Sequence, residues 1–415
     1  MRDSELILVA GALLAGGIVA SLLAVRVRVP GLVLFLGIGM LVGSDGMGWI
    51  HFDDYELART IGVIALALIL FDGGLRAGLP EVRPVLVPAL SLATLGTGIT
   101  AAITGLAAAW WFDFSLLEAL LLGAVVSSTD GAAIFAMLRT STLRRRVART
   151  LEAESGLNDP IAVLLVLGFI EWIQEPHYGV VDMAGLLLRE LGIGLAVGVA
   201  VGWLAVHAFR RTRLATAGLY PVASLATAAV AYGGAGALHG SGFLAVYLAG
   251  LALGSAAIPA RQTVIGFHDG VAWVAQIAMF LTLGLLVFPG QLADVAVEGT
   301  AIAFVLALVA RPLAAFVATL PFDFDWRERV VLGWAGLRGA IPVVLATFPV
   351  IAGVGEGLEI FNLVFFAVLL STLLQGATFE PLARALNVTT SVPAVPRLVE
   401  AGTVRGMGAE VLEHG

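Results

Sequence analysis

Apolar residues recur along this chain in runs of about twenty, the length an α-helix needs to cross the hydrocarbon core of a bilayer. Thirteen spans can be drawn, at about 5–25, 29–43, 60–79, 85–110, 117–139, 150–173, 184–209, 217–238, 241–257, 268–288, 295–319, 328–352 and 358–386. The predicted fold class is an all-α polytopic membrane protein of about 13 transmembrane helices. Two spans are interrupted. The run Leu117 to Val126 in span 5 is broken by Ser127-Ser128-Thr129-Asp130-Gly131 before it resumes as Ala132 to Leu138, and span 12 is broken by Gly336-Leu337-Arg338-Gly339-Ala340-Ile341-Pro342. A helix broken at membrane depth frees amides and carbonyls that an ion or a polar cavity must satisfy.

The loops set the orientation. Arg26 and Arg28, Arg76 and Arg83, Arg139 with Arg144, Arg145, Arg146 and Arg149, then Arg210, Arg211 and Arg213, Arg261, and Arg327 with Arg329 all fall between alternate pairs of spans. The other loops carry Asp45, Asp53, Asp54 and Glu56, or Glu171, Glu175 and Asp182, or Asp294 and Glu298, with Arg59 the main exception. Basic loops stay cytoplasmic, so the amino terminus is expected outside and the carboxyl terminus in the cytoplasm of a multi-pass inner (plasma) membrane protein. An odd number of spans then has a topological consequence. If spans 1–6 form one unit and spans 8–13 another, the single span 7 inverts the second relative to the first. The two broken spans occupy the fifth place of each inverted six-helix repeat, where a midplane transport site is built.

Composition narrows the chemistry. Only 13% of residues are charged, against about 25% in an ordinary soluble protein. Cysteine is absent, which excludes disulfides, thiolate metal sites and thiol catalysis. The histidines at 51, 177, 207, 239, 268 and 414 have no zinc-ligand spacing. An intramembrane serine protease built on His239-Gly240-Ser241-Gly242 and His207 leaves the buried carboxylates without a purpose, and a passive cation channel has no use for proton coupling. Glycines such as Gly192, Gly194, Gly198 and Gly202 read as close helix packing rather than as hinges.

The chemistry concentrates in Glu154-Ser155-Gly156-Leu157-Asn158-Asp159-Pro160, at the head of an apolar run. Ionisable groups at such depth are costly and mark function. A carboxylate stripped of water gains affinity for a proton, and the same oxygens, with carbonyls and hydroxyls, are what a hard cation coordinates. Asp159 can thus hold a proton or a cation in turn, although Asp159 before Pro160 also suits a helix start. Asn158 carries no second charge, so exchange is expected to be one-for-one and electroneutral, its amide donating to Asp130 or a neighbouring carbonyl. Asp130 is placed to offset a positive half-helix end, and the Thr129 carbonyl to face an ion. Ser127 and Ser128 are weaker candidates, since membrane serines mostly bond their own backbone. Glu154 lies roughly 140° round the helix from Asp159. Its expected partner is Arg338, in a structural ion pair, with Arg311 in competition. Asp72, in Phe71-Asp72-Gly73-Gly74-Leu75, either lines the ion path or caps its helix.

At Phe71-Asp72-Gly73-Gly74-Leu75, Ser128-Thr129-Asp130, Glu154 to Pro160 and Leu337-Arg338-Gly339, the chain resembles the NhaP-type sodium/proton antiporters of the cation:proton antiporter-1 family, relatives of the animal sodium/hydrogen exchangers. The resemblance runs over about residues 5 to 386 and extends to a potassium/proton branch. It implies a secondary transporter rather than an enzyme, with no cofactor beyond the transported Na+ or K+ and H+, serving pH homeostasis. Sodium is the expected cation, potassium the alternative. Asp159 is then the ion- and proton-binding residue, with Asp130, Thr129, Ser155, Asn158 and Asp72 around it; Asp159, Asp130, Thr129 and Ser155 are the candidate cation ligands. The resemblance also implies a homodimer in the lipid bilayer. Its dimerisation helices are 1–84 (spans 1–3) and 217–290 (spans 8–10), its moving core 85–173 and 291–386, its linker helix 174–216, and its cytoplasmic tail 387–415.

Overall fold

The computed structural model describes residues 3–27, 31–130, 134 and 142–390. The expected resumption of span 5 at 132–138, apart from Ile134, lies outside those residues, as do Arg28, Arg139 and the tail beyond 390. Between its connecting loops the described chain is helical, with one isolated bridge pairing Leu143 and Thr389. In order, the helices are α1 (Asp3–Val27), α2 (Gly31–Val42), α3 (Tyr55–Ala77), α4 (Leu79–Trp111), α5 (Leu116–Val125), α6 (Arg145–Gln174) and α7 (Val180–Arg211). They continue as α8 (Leu219–Ala237), α9 (Gly242–Ser255), α10 (Arg261–Leu285), α11 (Ala296–Thr319), α12 (Trp326–Trp334), α13 (Ala340–Ile351) and α14 (Gly357–Ala385), with a six-residue helix at Pro289–Asp294, too short to span, before α11. Among the described residues, eight of these are long and apolar enough to cross a membrane. Counting α12 and α13 as one interrupted span gives the thirteen that the hydrophobic pattern predicts.

Three irregularities recur at matching places in the two inverted repeats. Spans 2 and 9 are short, with 12 residues in α2 and 14 in α9. Spans 4 and 11 each contain one wide five-residue turn, Leu92–Gly96 and Leu306–Ala310. Spans 5 and 12 each begin in a reciprocal cap and then break. Ser115 Oγ accepts from the Glu118 amide while Glu118 returns a carboxylate to the Ser115 amide, and Asp325 and Glu328 do the same at α12. The sequences Ser-x-x-Glu and Asp-x-x-Glu specify that start.

The short helices pack where side chains are smallest. On α2, a Cβ at Gly39 would lie 2.4 Å from the Leu281 carbonyl of α10; on α3, one at Gly74 would lie 2.4 Å from the Tyr247 carbonyl of α9. The repeat interchanges these two crossings, because spans 2 and 10 correspond to spans 9 and 3. Close backbone approach through small residues is how helices associate when lipid supplies no hydrophobic drive. The α7 glycines follow the same rule. Gly194, Gly198 and Gly202 press on Ser241, Ala245 and Ala252, as the packing reading expects, whereas Gly192 faces open space. Helices α2, α3, α9 and α10 thereby form one packed set, and α4, α5, α6 and α11 to α14 surround the broken spans.

Candidate functional site at the crossed helix breaks

The α5 helix ends at Val125 in a turn over Val126 and Ser127, and Ser128 to Asp130 are not helical; α12 ends at Trp334 and resumes as α13 at Ala340. Each break satisfies backbone groups that the other leaves orphaned. The Asp130 amide donates to the Leu337 carbonyl at 2.9 Å, and Arg338 Nη1 donates to the carbonyls of Ser127 and Ser128 at 2.9 and 2.6 Å. In return the Ala340 amide, first in α13, donates to Asp130 Oδ2 at 3.2 Å. Thus a cation meets the carboxyl end of α5 and an anion meets the amino end of α13, the favourable sign at both. A Cβ on Gly339 would fall 1.6 Å from Asp130 Oδ2, so glycine is required there.

The α6 helix passes alongside. Asp159 Oδ1 accepts from Ser128 Oγ at 2.6 Å, and Oδ2 has no hydrogen-bond partner among the described residues. Asn158 Nδ2 donates to Thr129 Oγ1 at 2.6 Å, and Thr129 Oγ1 lies 3.2 Å from Ser155 Oγ. Asn158 Oδ1 is likewise without a partner among the described residues. Thr129, Asp130, Ser155, Asn158 and Asp159 are each 2% exposed or less. Two uncommitted oxygens from adjacent residues, one of them a carboxylate oxygen, lie beside a strand of broken helix. That donor set suits one small hard cation or one proton.

Four sequence expectations change. The expected Glu154 to Arg338 ion pair is not formed. Glu154 instead makes a two-pronged contact with Arg311, Nη1 to Oε1 at 2.6 Å and Nη2 to Oε2 at 2.9 Å, with both residues buried. The cause is local: Arg338 is committed to the carbonyls freed at the end of α5, while the wide turn Leu306–Ala310 directly precedes Arg311 and shifts its register in α11. Asn158 donates to the Thr129 hydroxyl rather than to Asp130 or a carbonyl. Ser128, expected to bond its own backbone, is the residue that touches Asp159; Ser127 does bond back, to the Ala124 carbonyl at 2.7 Å. Asp72 is tied into a different group, where Arg76 donates to Asp72 Oδ2 at 2.7 Å and to Asp269 Oδ1 of α10 at 2.6 Å.

A support layer on α14 escaped the sequence reading altogether. Thr372 Oγ1 donates to the Arg338 carbonyl and Gln375 Nε2 to the Trp334 carbonyl at 3.1 Å, which holds both edges of the α12 to α13 break. The signal was present as Ser371, Thr372 and Gln375 on one face of an apolar span. The protease constellation is not assembled. Ser241 caps α9 by accepting from the Leu244 amide, and His207 Nδ1 bonds the Trp203 carbonyl of its own helix.

A polytopic protein with two inverted repeats, a pair of interrupted helices crossing at the midplane and a buried carboxylate between them is a secondary ion transporter by construction. Residues 9–385 match the family described as "Sodium/hydrogen exchanger, transmembrane". Over 390 residues the chain is 43% identical to the K(+)/H(+) antiporter NhaP2 of Shewanella sp. (strain ANA-3), covering 93% of this chain and 68% of that protein. It is 24% identical over 403 residues to the Na(+)/H(+) antiporter NhaH of Halobacillus aidingensis, covering 91% of this chain and 96% of the relative. The fold matches that of the sodium proton antiporter MjNhaP1 from Methanocaldococcus jannaschii with a TM-score of 0.80 at 22% identity, over 93% of this chain and 99% of that one. The chain belongs to the transmembrane sodium/hydrogen exchanger family, and is a monovalent cation/proton antiporter of the NhaP type.

Proposed function

We propose that the chain exchanges one potassium ion for one proton, with both competing for Asp159. The observation that carries this reading is the state of that carboxylate: 2% exposed, one oxygen held by Ser128, the other uncommitted. Among the described residues, the charged side chains no more than 2% exposed are Asp130, Glu154 and Asp159 against Arg311 and Arg338, a net of one negative charge. A low-dielectric site tolerates little net charge, and one bound proton or one bound monovalent cation brings this set to neutrality. Binding both leaves it positive. Competition and one-for-one stoichiometry follow from the same sum.

Asp130 and Arg338 hold the crossed breaks. Thr129, Ser155 and Asn158 order the hydroxyls and the amide beside Asp159, and the Glu154 to Arg311 pair ties α6 to α11. Potassium is favoured by relatives at 43% and 44% identity named K(+)/H(+) antiporters. Sodium, the sequence expectation, is the second reading and draws on the names of NhaH and MjNhaP1. The further assignments are a homodimer through spans 1–3 and 8–10, a core of spans 4–6 and 11–13 that moves against it, a plasma-membrane location and an external amino terminus. Flux in proteoliposomes tests the exchange. Potassium should drive proton movement in the wild type more effectively than sodium, with no response to an imposed membrane potential, and Asp159→Asn should abolish it. Cation-driven proton flux retained in Asp159→Asn overturns the assignment.

A further inference from the structure

One buried contact between the two helix sets has no part in the site above. Gly156 lies within the Glu154 to Pro160 stretch, and a Cβ there would fall 2.5 Å from Cε2 and 2.7 Å from Cζ of Tyr247. The tyrosine ring, 1% exposed, fills a notch in α6 that only glycine leaves open. Tyr247 belongs to α9, which is fastened to α3 through Gly74. Its ring therefore reaches from the α2, α3, α9 and α10 set into the helix that carries Asp159.

Glu152, Gly156 and Asp159 follow at i, i+4 and i+7 along one face of α6. The ring over Gly156 thus stands between two carboxylates, one turn from each. Its hydroxyl is buried and has no hydrogen-bond partner among the described residues. Glu152, one turn before Gly156 on the same face, is a buried carboxylate that Arg149 holds. A buried hydroxyl without a partner is unfavourable, and a shift of α6 along α9 that brings Glu152 to the phenol relieves it.

We propose that Tyr247 is a positioning residue for transport: its ring in the Gly156 notch fixes the register of α6 against α9 in this conformation, and its hydroxyl pairs with Glu152 at the other end of the stroke. The proposal rests on the reading that α6 moves as part of an exchanger core. The ring acts as a detent for that movement and leaves the ion's own ligands untouched.

The test separates rate from affinity. In proteoliposomes, Tyr247→Phe keeps the ring and loses the hydroxyl; its maximal exchange rate should fall about fivefold, with the cation KM unchanged. Gly156→Ala should slow exchange further, and Gly156→Ala/Tyr247→Leu should recover much of that loss. A second measurement uses the absence of cysteine from the chain. Ala153 and Leu251 share a buried apolar cluster on the same seam. Oxidation of Ala153→Cys/Leu251→Cys should cross-link α6 to α9 and arrest exchange, and a reductant should restore it. Wild-type kinetics in Tyr247→Phe overturn the proposal, as does a changed KM at an unchanged rate, which would place Tyr247 at the ion. A cross-linked protein exchanging at the unlinked rate overturns it too. All of these results presuppose cation-coupled proton flux in the wild type, so loss of the proposed function shows itself separately.

Discussion

Replacing Arg311 by methionine removes one half of a pair in which neither residue is more than 2% exposed. The volume is nearly retained, so the main effect is electrostatic: Glu154 stays buried without its ion-pair contact at 2.6 Å and its hydrogen bond at 2.9 Å. Breaking a buried pair from one side costs about 3–5 kcal/mol, whereas removing both charges together is often close to neutral. For a chain of this length about 2 °C per kcal/mol is a fair conversion, so Arg311→Met should melt about 6–10 °C below the wild type in detergent. Arg311→Met/Glu154→Gln should recover most of that loss. Exchange should follow the same pattern, because the double variant keeps a single net negative charge around Asp159 while Arg311→Met carries two. The control is Arg338→Met, which uncaps the Ser127 and Ser128 carbonyls and whose melting Glu154→Gln should not rescue. If Glu154→Gln restores the melting of Arg338→Met and leaves that of Arg311→Met unimproved, the Glu154 to Arg311 pairing is wrong.

Ser128→Ala removes the one hydrogen bond that the described residues give to the Asp159 carboxylate and should change the cation KM about fivefold, with folding intact by size exclusion; an unchanged KM shows that Ser128 does not order the carboxylate. Gly339→Ala forces a Cβ into Asp130 Oδ2 and should abolish exchange, and an active Gly339→Ala protein would mean that the breaks do not cross as described. Acidification should raise the apparent cation KM about tenfold per pH unit once Asp159 is mostly protonated, while the rate at saturating cation holds; a falling maximal rate at constant KM would exclude a shared site. Ser115→Ala, at the α5 cap, should lower stability by about 1 kcal/mol without changing the cation KM, measured by melting and flux side by side.

Much of this was written in the hydrophobic pattern. The span count and the two breaks needed only residue type and spacing, and Asp159 announced itself as a carboxylate in an apolar run. What the pattern could not supply was the direction of side chains across helix crossings. Ser128 and Ser127 are adjacent serines in one break, yet one reaches Asp159 and the other its own backbone, because Ser127 still sits in the turn that ends α5 and Ser128 lies beyond it. Glu154 had two arginines to choose between, and the outcome turned on a wide turn in α11 that leaves no mark in composition. The Thr372 and Gln375 supports were visible as polar residues in span 13, but their carbonyl partners exist only once α12 stops at Trp334.

The wide turns in α4 and α11 each carry one residue more than regular winding needs. Winding the same residues as regular helix would turn everything beyond the wide turn by about 100°. In α11 this takes Arg311 off the face that meets Glu154. The ion pair is therefore keyed to the residue that the wide turn absorbs as much as to the arginine itself.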